Sequence, residues 1–98
     1  MFTLRQTTVF ATWLRALQDG RARARIDDRL LRLARGNPGG VKPVGSGVSE
    51  LRIDYGPGYR VYFVSRGKVV IVLLCGGDKR TQEKDIEQAI RMAGELED

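Results

Sequence analysis

The fold is decided by the stretch Glu50-Leu51-Arg52-Ile53-Asp54-Tyr55-Gly56-Pro57-Gly58-Tyr59-Arg60-Val61-Tyr62-Phe63-Val64. Leu51, Ile53 and Tyr55 alternate with Glu50, Arg52 and Asp54; Tyr59, Val61 and Phe63 alternate with Arg60, Tyr62 and Val64. A period of two over such lengths marks strands with one face on a core. Gly56-Pro57-Gly58 supplies the turn between them. Ser65-Arg66-Gly67-Lys68 is a second turn, and Val69-Val70-Ile71-Val72-Leu73-Leu74-Cys75 follows it, apolar on both faces. That last run is expected to be a central strand covered on both sides. Three strands joined by two close turns form an antiparallel meander.

Towards the N-terminus, Phe2-Thr3-Leu4-Arg5 alternates and reads as a short strand. Phe10, Trp13, Leu14 and Leu17 then fall on one face of a helix, which Thr7 or Thr8 can cap and Asp19-Gly20 stops. A second helix is expected over residues 21–35, with Ala22, Ile26, Leu30, Leu33 and Ala34 as its apolar stripe. The short connection predicts an antiparallel helical hairpin. Residues 41–47 read as a Gly/Pro loop holding Lys42. Towards the C-terminus, Gly76-Gly77-Asp78-Lys79-Arg80 leads into a final helix with Ile86, Ala89, Ile90, Ala93 and Leu96 on one stripe. Thr81 can cap it, and Glu83 and Asp85 suit its positive end. The expectation is one α+β domain over residues 1–98, in which the N-terminal strand completes a four-stranded sheet.

The 98 residues hold one Cys and no His. A disulfide within the chain, a Cys/His zinc site, and Ser-His-Asp or Cys-His catalysis are therefore excluded. Cys75 lies inside the apolar run and reads as a buried, reduced thiol rather than a nucleophile. The first residues lack the charged-then-apolar pattern of a signal peptide, and no apolar run is long enough to span a bilayer, so a cytoplasmic protein is expected. Lys and Arg number 17 against 12 Asp and Glu, a net charge of +5. The distribution is uneven: residues 1–80 carry 15 basic and 6 acidic groups, or +9, whereas residues 81–98 carry −4. A body so basic is suited to a polyanion. The arginines of the second helix read first as a solvated face, although such a density also serves partner binding.

A more pointed constellation lies in the meander. Period two places Arg60 and Tyr62 on one face of their strand, and Glu50 and Arg52 on one face of theirs. Lys79 and Arg80 follow the last strand at a helix start, where free amides and cations make a phosphate seat. The glycine and lysine spacing is not that of a Walker loop.

The runs Glu50-Leu51-Arg52-Ile53, Gly58-Tyr59-Arg60-Val61-Tyr62-Phe63 and Gly77-Asp78-Lys79-Arg80 resemble the RelE/ParE superfamily of small bacterial toxins. The wider pattern is similar to its HigB-like addiction-module-killer branch: Trp13-Leu14, Gly36-Asn37, Lys42 with Val44-Gly45-Ser46-Gly47-Val48, Tyr55-Gly56-Pro57-Gly58-Tyr59-Arg60, and Gly76-Gly77-Asp78-Lys79 with Thr81-Gln82. The resemblance implies a toxin neutralised by a helix-turn-helix antitoxin encoded beside it. It implies ribosome-dependent cleavage of mRNA by 2′-hydroxyl attack, with no metal or other cofactor and no membrane partner. Arg60 matches the strand arginine that stabilises the phosphate, Arg52 a basic residue of the preceding strand, and Lys79 and Arg80 the basic pair after the last strand. Lys42 either contacts RNA or is solvated. Residues 81–98 lack the Tyr that some relatives use as general base, with Ile86 at the nearest place. Glu50 is then the first candidate base and Tyr62 the second. Two alternatives remain: a ParE-like poison of DNA gyrase that cleaves no RNA, and a nucleic-acid-binding module without catalysis.

Overall fold

The computed structural model of the chain describes residues 1–96. Strand β1 (Thr3–Gln6) leads directly into helix α1 (Thr8–Ala16). Thr7 makes that corner. Its hydroxyl accepts from the Phe10 amide at 3.0 Å and donates to the Leu74 carbonyl at 2.6 Å. The side chain thus caps the helix and ties it to the sheet. Asp19 was expected to end the first helix. It instead caps helix α2 (Gly20–Ala34), accepting from the Arg21 and Ala22 amides at 3.0 and 3.3 Å.

The sheet has five strands, not the expected four. Residues 41–45, read as part of a loop, form strand β2 (Val41–Gly45), which pairs with β3 (Val48–Ile53). Its Pro43 and turn glycines hid it. A proline is tolerated here because β2 lies at the sheet edge, where a strand need donate to only one neighbour. Lys42 is therefore an exposed strand residue opposite Glu50. The meander continues through β4 (Tyr59–Arg66) and β5 (Val70–Asp78), and β1 adds to β5 in parallel. The order is β1-β5-β4-β3-β2, so the run at 70–75 lies inside the sheet as its two-sided apolar character predicts.

Both sheet faces are covered. Phe10, Ile26, Leu30 and Leu33 from α1 and α2 pack on Leu51, Ile53, Val61, Phe63, Ile71 and Leu73. On the opposite face, helix α3 (Gln82–Glu95) sets Ala89 and Ala93 against Val48, Tyr62, Val64, Leu74 and Cys75. Burial of these side chains removes roughly 1.5–3 kcal/mol of unfavourable apolar hydration for each large residue.

One bulge controls the faces of β5. Tyr62 pairs with Cys75, but Phe63 pairs with Leu73, which leaves Leu74 without an opposite residue. The surplus residue turns Leu74 and Cys75 to the same side. Beyond it, Gly76 lies beneath Trp13 of α1 and Gly77 beneath Asp85 of α3. A Cβ at either glycine would overlap the ring or the carboxylate. Neither has a positive φ, so close approach is the reason for glycine at both.

Thr81 was expected to cap the last helix through its side chain. A single turn of 3-10 helix, Lys79–Thr81, comes first, and Asp78 caps it. The Thr81 hydroxyl instead lies 2.5 Å from Asp85 Oδ2 and makes no cap bond to α3.

Candidate functional site

The register brings the four meander residues together. Glu50 stands opposite Tyr62 and Arg52 opposite Arg60. All four share the face that α3 covers, so the cluster lies beneath a helix and not on an open face of the sheet. Glu50 is only 1% exposed and Tyr62 is wholly buried. A buried carboxylate demands partners, and Glu50 has four. The Tyr62 hydroxyl donates to Oε2 at 3.1 Å, and the Gln82 amide donates to the same oxygen at 2.8 Å. Arg60 Nε and Arg52 Nε approach Oε1 at 3.7 and 3.9 Å. Burial first, then the charge and hydrogen bond of Glu50, push the Tyr62 phenol well above its ordinary pKa. It is therefore a neutral donor at physiological pH.

Arg60 is 4% exposed and clamped at its tip. Its Nη1 donates to the Gly58 carbonyl at 3.0 Å and the Tyr59 carbonyl at 3.2 Å. Gly58 has φ +80° and a Cβ there would lie 3.3 Å from Nη1, so a side chain at this turn position is disfavoured twice. Nε meets no hydrogen-bond acceptor among the described residues. With Arg52 and Lys79, Arg60 lines an open groove of about 390 Å³ beside the turn at residues 54–58. Arg52 has half its side chain in solvent, 51%. The groove is cationic at its wall and backed by the buried acid of Glu50.

Arg80 does not join this groove. Its side chain, 80% exposed, turns back on Asp78 with Nη2 3.0 Å from Oδ2. The Asp78 carboxylate also accepts from the Arg80 amide at 2.8 Å. These bonds, the Arg80 side chain first, hold the Asp78 carboxyl below its ordinary pKa. The expected phosphate seat at the helix start is thus occupied by an internal anion. Lys42 is exposed on the edge strand and forms no ion pair within 4 Å among the described residues. Cys75 is buried and its thiol, raised mainly by burial to about 12, stays protonated.

Sequence reasoning missed Gln82 as the second donor to Glu50, because the pair is 32 residues apart and no local pattern joins them. It also missed Asp78 as a cap, although an Asp just before a helical segment is a standard signal. Among the described residues, no group of three or more His, Cys, Asp and Glu is arranged to hold a metal ion. No described helix is long and apolar enough to cross a membrane.

A mixed sheet with helices on both faces, and an arginine-lined groove over a buried charge cluster, defines a small basic α+β protein. The chain belongs to the family of phage-derived, Gp49-like proteins (DUF891), whose family model matches residues 12–96. That family is associated with the toxins of toxin–antitoxin modules. A protein of Haemophilus influenzae described as uncharacterized is 50% identical over 93 residues, spanning 95% of this chain and 94% of the relative.

Proposed function

We propose that this protein is the toxin of a toxin–antitoxin module, akin to the RelE/ParE superfamily, and that it arrests translation in the cytoplasm by cleaving mRNA at the ribosome. The observation that carries this reading is the groove shared by Arg52, Arg60 and Lys79, with Arg60 clamped by two carbonyls. A fixed guanidinium and an ammonium stabilise the charge that gathers on a phosphate under attack. In the proposed step the 2′-oxygen forms a bond to the adjacent phosphorus, the bond to the 5′-oxygen breaks, and a 2′,3′-cyclic phosphate remains. The 2′-proton passes to solvent and the 5′-oxygen takes one up. Glu50 and Tyr62 lie behind the groove, too deeply buried to reach the strand, and act as positioning residues that hold Arg60. Arg80 exchanges Asp78 for a phosphate when RNA arrives. The partner is an antitoxin that covers the basic groove.

The burial of Glu50 and Tyr62 also favours a second reading. With both candidate bases buried behind the groove, a gyrase poison that uses the same cations for binding alone is the rival. Primer extension on translated mRNA separates the two. New 3′ ends that disappear in Lys79→Ala and in the charge-conserving Arg60→Lys support cleavage. Intact mRNA with gyrase-dependent DNA breaks selects the rival.

A further inference from the structure

The arginines of α2 lie on a solvated face, as expected, except that Arg29 is half-buried. Arg21, Arg25, Arg29 and Arg32 line one open groove of about 590 Å³, with Asp28 beside them and Asp54 on the opposite wall. Arg29 belongs to the fold. Its Nε and Nη2 donate to the Pro38 carbonyl at 3.1 and 2.8 Å, and Nη1 donates to the Arg52 carbonyl at 2.7 Å. Its charge is thereby fixed at the groove. The Arg25 guanidinium lies 4.8 Å above the Tyr55 ring, whose hydroxyl donates to Asp19 at 2.9 Å. Arg21 and Arg32 form no ion pair within 4 Å among the described residues.

Asp54 lines both this groove and the Arg60 groove, so the two meet at the turn that joins β3 to β4. We propose that the α2 groove is a second phosphate-backbone subsite, which receives single-stranded RNA leaving the Arg60 groove across Asp54. This rests on the reading of the Arg60 groove as an RNA site. The i, i+4 arginine steps advance about 6 Å along the helix, a step that suits successive phosphates of an extended strand. Guanidinium groups held by carbonyls and by an aromatic face meet phosphate with little further ordering. The two carboxylates favour a polynucleotide over a uniformly acidic peptide. A carboxylate in a basic groove can accept from a base amino group while the arginines hold phosphates.

The test is binding of a labelled single-stranded RNA of about 10 nucleotides to the full chain, followed by anisotropy across a salt series. Arg21→Gln with Arg32→Gln alters only side chains without ion pairs, so the fold is retained, and circular dichroism checks this. Losing two phosphate contacts should flatten the slope of log K against log salt by about 1.4, so the deficit grows about 25-fold for each tenfold dilution of salt. A trinucleotide, too short to fill both grooves, should bind wild type and variant alike. Wild-type slope in this variant, with a reduced slope in Arg52→Gln with Lys79→Gln, overturns the second subsite and leaves the Arg60 groove standing. An unchanged slope in both variants overturns the RNA reading itself. Intact RNA binding with weakened capture of the co-expressed antitoxin makes the α2 groove a protein-docking face and also overturns the proposal.

Discussion

The side-chain amide of Gln82 lies 2.8 Å from the carboxylate of Glu50, joining the first residue of α3 to the middle of β3. The bond closes a cluster in which Arg60, Arg52, Tyr62 and Gln82 all converge on one acid. Removal of either partner should therefore act on both the helix and the groove. Glu50→Ala leaves the Arg60 guanidinium buried without its counter-charge, and should cost roughly 3–5 kcal/mol in urea unfolding. Gln82→Ala removes one hydrogen bond to a charged group and should cost about 1.5–3 kcal/mol. Equal losses in the two variants would mean that the arginines do not depend on Glu50.

The two glycines of β5 should respond differently to alanine. Gly76→Ala drives a methyl group into the Trp13 ring, which packs against Phe10 at 5.7 Å between centroids and has little freedom to retreat. A loss of roughly 1–3 kcal/mol is expected. At Gly77 the obstacle is the carboxylate of Asp85, the end of a flexible side chain. Gly77→Ala should cost less and should break the bond between Thr81 and Asp85. A larger penalty at residue 77 than at 76 would contradict this packing.

Cys75 predicts a specific loss of stability in alkali. Burial raises its thiol from 9.0 to about 12 in the folded chain. Between those values the unfolded chain releases the proton and the folded chain retains it. The contribution is complete below pH 9 and is lost as the pH rises towards about 12, with a slope approaching about 1.4 kcal/mol per pH unit. The advantage of wild type over Cys75→Ala in urea midpoints should be constant below pH 9 and narrow above it. A constant difference throughout would place the thiol in contact with solvent.

Arg29→Lys should behave almost like Arg29→Ala. The planar fork spans the Pro38 and Arg52 carbonyls at once, which an ammonium cannot do. Both variants should lose about 2 kcal/mol and speed amide exchange in residues 36–40. Full rescue by lysine would show that charge alone matters at this position.

Much of the architecture was legible in the sequence because burial leaves a period. The alternation around Leu51 and Val61 marks two strands, and the stripe from Ile26 to Leu33 marks α2. The edge strand was hidden because Pro43 and the glycines at 45 and 47 carry the composition of a loop. Periodicity also correctly grouped Glu50, Arg52, Arg60 and Tyr62 on one face. It could not reveal that α3 covers this face, since a charged residue reads as exposed until its partners are known. The partner that closes the cluster, Gln82, comes from a distant element. The helix start after Gly77 looked like an anion site from its composition, but whether Asp78 turns inwards to fill it depends on side-chain conformation.

The unmatched Leu74 gives β5 an unequal tolerance of changes in length. Loss of the Leu74 codon would close the bulge and leave the ladder as it is, with Leu73 opposite Phe63, Cys75 opposite Tyr62, and Gly76 and Gly77 on their present faces. A codon gained just beyond it would instead move each following residue on by one place, bringing Cys75 beneath Trp13 and Gly76 beneath Asp85. The side chain of Cys75 would then meet the indole ring, and Lys79 would leave the strand one place out of step with the Arg60 groove. The strand can thus be shortened at one point and lengthened at none, although every cation of the groove would survive either change.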